Sequence, residues 1–61
     1  MTTKEILRND RANLARVNDA IKSLEFYGRE KDLRLRDKFL ELRSNLLISI
    51  ESNETALRMG L

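Results

Sequence analysis

The chain has 61 residues, room for one domain, and contains neither cysteine nor histidine. Disulfides and Cys/His zinc arrangements are therefore excluded as staples, although a domain of this size buries only roughly 60% of the surface its unfolded chain exposes. Lysine and arginine number 12 against 10 acids, for a net charge of +2. The surface is mixed rather than polybasic, and a polyanion would be recognised only by a local grouping of cations.

The opening MTTKEILRND is charged at once and lacks the apolar centre of a signal peptide. No apolar run approaches the roughly 20 residues that span a bilayer. These features lead to the expectation of a cytoplasmic chain with no membrane partner.

The first predicted element is a helix over about residues 3–27. Thr2-Thr3-Lys4-Glu5 fits a capping box, with Thr2 as N-cap. Leu7, Leu14, Val17, Ile21 and Leu24 then recur at heptad-like spacing, broadened by Ile6, Ala20 and Tyr27. Asp10 occupies the missing place in that stripe. Two readings of it stand side by side: partial exposure, or a buried polar group that fixes register. Gly28 follows where a left-handed C-cap is expected.

A second helix is predicted over about 31–58. It carries Leu35, Phe39, Leu42, Leu46, Ile50 and Leu57, with Leu40 and Leu47 to one side and Gly60 placed to end it. Glu30 with Arg34, Asp32 with Arg36 and Glu54 with Arg58 are spaced for acid-first i,i+4 pairs. The predicted fold is all-α: a single domain over 1–61, an antiparallel two-helix hairpin. Leu42, Leu46 and Phe39 are expected to face helix 1, and Leu40, Leu47 and Ile50 to form a flank for another hairpin. Arg36 and Arg43 are expected at the interface rim. Stripes this wide fit a homodimer that closes into a four-helix bundle. The self-association set is thus Leu7, Leu14, Val17, Ile21, Leu24, Leu35, Phe39, Leu40, Leu42, Leu46, Leu47, Ile50 and Leu57.

The catalytic inventory is poor. General acid–base or nucleophilic chemistry would fall to Asp, Glu, Lys, Ser or Tyr, the acids are dispersed, and no glycine-rich phosphate loop exists. No catalytic, metal or cofactor residue is assigned, and the protein is not expected to be an enzyme. Two surfaces stand out instead. Lys4, Arg8, Arg11, Asn18, Lys22, Phe26 and Arg29 run down one side of helix 1 with no acid among them, suited to nucleic acid or an acidic protein. On helix 2 the charge-poor stretch after Arg43 puts Asn45, Ile48, Ser52 and Met59 on an outer surface suited to a protein partner.

In length and layout the chain resembles the Rop family of plasmid copy-number regulators, helical hairpins that dimerise and bind paired RNA loops. The paired cysteine layers of that family are absent, so no residue role carries over. The expected function is a homodimeric regulator or inhibitor, of the kind phages, plasmids or bacteria encode, acting on a larger protein. An RNA- or DNA-binding hairpin and a purely structural oligomerisation element are the alternatives.

Overall fold

A computed structural model describes residues 2–60. It contains two helices, α1 (Thr3–Tyr27) and α2 (Glu30–Arg58), packed against each other, and no strand among the described residues. Arg11 meets Glu54 while Glu25 meets Arg36, so the helices run antiparallel. The pair forms a rod with extents of 46 × 15 × 14 Å, one helix pair thick.

Local chemistry sets the ends. Thr2 is extended and its Oγ1 accepts from the Glu5 N–H at 3.2 Å, as the capping box requires. Gly28 closes α1 at φ +63°, and its N–H donates to the Leu24 carbonyl at 2.9 Å. A left-handed conformation costs an L-residue about 1–2 kcal/mol, so glycine belongs here.

The connection is only Gly28–Arg29, and Arg29 holds it. Its Nε donates to Asp32 Oδ2 at 2.7 Å, and its guanidinium lies 5.7 Å from the Tyr27 ring centroid. Asp32 is therefore buried at 8% exposure. The hydrogen bond from Arg29 holds its carboxyl below the ordinary value of 3.8, against the opposing pull of burial. Asp32 pairs with Arg29, not with Arg36 as its spacing suggested. Glu54 likewise turns to Arg11 and Arg58 to Thr55, whereas Glu30 and Arg34 pair as expected at 2.6 Å.

The facing lines of the two helices are heptads. On α1 the line is Leu7, Asp10, Leu14, Val17, Ile21 and Leu24. On α2 it is Asp32, Arg36, Phe39, Arg43, Leu46, Ile50, Asn53 and Leu57, again at alternating spacings of 4 and 3. Buried apolar side chains among the described residues are Leu7, Val17, Ile21 and Ile50, with Leu14, Leu24, Phe39 and Leu46 half-buried around them.

This corrects the assignment of the α2 stripe. Ile50 belongs to the facing line at 8% exposure, while Leu42 stands outside it at 45%. Arg36 and Arg43 sit in the line rather than at a rim. An apolar average over α2 centres on its leucines. The line that meets α1 instead includes arginines whose stems cover apolar surface while their heads reach sideways. Arg36 Nη1 reaches Glu25 at 3.5 Å, Arg43 Nη1 reaches Asn18 at 3.4 Å, and Arg36 Nε remains buried without a partner.

Candidate interaction surfaces

Residues one step outside the facing lines give the rod two unlike sides. On the first, α1 contributes Lys4, Arg11, Asn18 and Glu25 at seven-residue intervals, and α2 contributes Leu33, Leu40, Leu47 and Glu54. Ties within the chain bridge this side. Arg11 donates to Glu54 at 3.2 Å, Arg43 to the Asn18 side-chain oxygen, and Arg36 to Glu25.

The second side is apolar. α1 contributes Ile6, Asn13, Ala20 and Tyr27, and α2 contributes Leu35, Leu42, Ser49 and Ala56, again every seventh residue. Leu35 is 44% exposed and Leu42 45%, Tyr27 is exposed, and Ile6, Ala20 and Ala56 are half-buried. The polar interruption is concentrated at one level. Ser49 Oγ donates to Asp10 Oδ2 at 2.6 Å, and Asn53 Nδ2 donates to the Ser49 carbonyl at 2.8 Å and approaches its Oγ at 3.4 Å. Asp10 thus finds a partner on α2 of its own chain and is half-buried, as the partial-exposure reading expects.

The structure distributes the expected self-association set among five places. Leu7, Val17, Ile21 and Ile50 are consumed inside the hairpin, and Leu14, Leu24, Phe39 and Leu46 line its edges. Leu35 and Leu42 open on the apolar side, Leu40 and Leu47 on the bridged side, and Leu57 lies exposed near the open end. Sequence reasoning misses Ser49 as the partner of Asp10, and Asn53 as a donor to Ser49. The signal for Ser49 is the seven-residue interval that links it to Leu35 and Leu42, which a hydropathy stripe passes over.

The basic stripe is broken by ties to other residues. Arg11 pairs with Glu54 and Arg29 with Asp32, while Asn18 accepts from Arg43. Lys4, Arg8 and Lys22 are exposed along it. Phe26 is 84% exposed and meets Tyr27 edge to face, with ring centroids 5.5 Å apart. At the open end Lys4, Arg8, Arg11 and Glu54 surround Leu7 and Leu57 in an open groove of about 440 Å³. On the outside of α2, Asn45, Ile48, Ser52 and Met59 are all exposed.

Among the described residues no group of His, Cys, Asp or Glu is placed to hold a metal, and no helix is long and apolar enough to cross a membrane. No protein-family model, curated protein or solved structure matches the chain.

Proposed function

We propose that the protein is a non-enzymatic helical interaction module, working as a homodimer in a four-helix bundle and regulating or inhibiting a larger protein to which it binds. One observation carries this reading: the open apolar side. Leu35 and Leu42 are nearly half exposed on a pair of helices whose buried apolar side chains, among the described residues, are Leu7, Val17, Ile21 and Ile50. Such a face is more apolar than solvent contact favours, and covering it supplies the burial that so small a chain otherwise lacks. The outer α2 surface around Ile48, 66% exposed and poor in charge, is then free for the larger partner.

Nucleic-acid binding is the second reading; Lys4, Arg8 and Lys22 are exposed for it, while Arg11 and Arg29 are shared with carboxylates. Two measurements test the first reading. Sedimentation equilibrium over a concentration series should show a dimer, and a folded monomer throughout would refute self-association. Affinity capture from the source organism should return a protein that binds the wild type and is lost with Ile48→Asp. An unchanged capture profile would refute the role of the outer surface.

A further inference from the structure

We infer that the second copy of this chain seats on the Leu35–Leu42 side, not on the Leu40–Leu47 side, with Asp10, Ser49 and Asn53 forming the polar layer that sets its register. The inference rests on the self-association reading above and fixes which surface performs it.

The bridged side is poorly suited to a second copy. Arg11, Glu54, Arg36 and Glu25 are held across it, and covering them would remove charged pairs from water at a cost their attraction seldom repays. The apolar side exposes no such pair. Its leucines project beside Ala20, Ser49 and Ala56, whose small side chains leave room for helices to approach and for leucines of another copy to insert.

Area supports the same occupant. The chain exposes 4873 Å² at 7.2 kDa, whereas a folded monomer of this mass exposes about 4,100 Å². The excess of roughly 750 Å² is close to the ~800 Å² each partner contributes to a standard interface. One long side of a rod 46 Å by 15 Å offers an area of that order.

The charges at the margin of the apolar side are compatible with a two-fold axis along the rod. That operator places α1 of one copy against α2 of the other at equal height. Within the chain, Asn18 lies level with Arg43 and Glu25 with Arg36. The same level rule sets Arg16 opposite Asn45 of the other copy, Ser23 opposite Lys38, and Asn9 opposite Ser52, so no like charges meet at these three pairs. Asn53 of the second copy lies two residues, about 3 Å along α2, from the level of Asp10. The Asp10 carboxylate, with acceptor capacity beyond the Ser49 hydroxyl, can take that amide as a donor. A single polar layer in an apolar interface penalises shifted pairings, because any shift leaves it facing leucine.

The test is sedimentation equilibrium of the wild type, Leu42→Glu and Leu47→Glu, with circular dichroism to confirm helix content. A dimeric wild type and Leu47→Glu, with Leu42→Glu shifted to monomer by at least tenfold in dissociation constant, supports the assignment. Dissociation by Leu47→Glu but not by Leu42→Glu overturns it while leaving self-association intact. A wild type that stays monomeric overturns both. Should Leu42→Glu lose helix, acrylamide quenching of Tyr27, the only tyrosine in a chain without tryptophan, decides on the wild type. Protection that grows with protein concentration supports the assignment, and unchanged quenching across the dimerisation range overturns it.

Discussion

The contact between Ser49 and Asp10 invites a double-mutant cycle. The hydroxyl donates to a carboxylate at 2.6 Å in a half-buried setting, the short geometry of a charge-assisted bond. Hydrogen bonds to charged groups contribute about 1.5–3 kcal/mol, and partial exposure lets water replace some of that. Ser49→Ala is therefore expected to cost about 1–2 kcal/mol, keeping the stronger Asn53 bond because that bond reaches the Ser49 backbone carbonyl. In a domain of this size each kcal/mol moves the melting temperature by about 4–8 °C. Urea unfolding of wild type, Asp10→Ala, Ser49→Ala and the double variant, at one fixed protein concentration, gives the coupling directly. It should reach about 1 kcal/mol. Coupling within the ~0.3–0.5 kcal/mol scatter of additive sites would refute a direct Asp10–Ser49 interaction.

Three further outcomes follow from particular residues. Asp32 has a lowered folded-state pKa, so its contribution is present above the unfolded carboxylate value of about 3.9 and lost as pH falls from there through the folded value. Asp32→Asn should thus melt below wild type at neutral pH, with the gap closing below about pH 4; a constant gap would discount the Arg29 bond. Gly28→Ala should cost about 1 kcal/mol or more through its left-handed backbone rather than a clash, since the added Cβ would meet only the Glu25 carbonyl at 3.5 Å; an unchanged melting temperature would contradict that turn. Ile50→Ala should cost about 2–4 kcal/mol, while Leu42→Ala, measured dilute enough to be monomeric, should cost about 1 kcal/mol or less. The reverse order would restore Leu42 to the facing line.

Both helices, the turn and the N-cap were legible because each depends on neighbours in sequence: Thr2 with Glu5, Gly28 after an apolar run, heptads on either side. Which α2 residues meet α1 was not legible in the same way. Hydropathy rewards Leu35, Leu40, Leu42 and Leu47 equally, yet two helices have one line of closest approach, and this one runs through Arg36, Arg43 and Asn53. A long arginine counts as polar in a periodicity although its stem packs like an aliphatic chain. The basic stripe illustrates the same limit. Its spacing is real, but Arg11 answers to Glu54 on the other helix, and Arg29, beyond the end of α1, answers to Asp32 three residues on.

Gly28 has a wider consequence for the shape of the chain. There is no proline anywhere, and the described residue between the helices with a left-handed backbone is this glycine. Were it helical, Leu35, Leu42, Ser49 and Ala56 would continue the line of Leu7, Leu14, Ile21 and Gly28, each seven residues from the next. The chain therefore contains a straight-rod periodicity alongside its folded one, and the two use Leu35 and Leu42 differently. In the hairpin they flank the line of contact; in a rod they would be part of it. Two residues, left-handed Gly28 and extended Arg29, separate the two geometries, and with them a bundle of short helices from an exchange of long ones between chains.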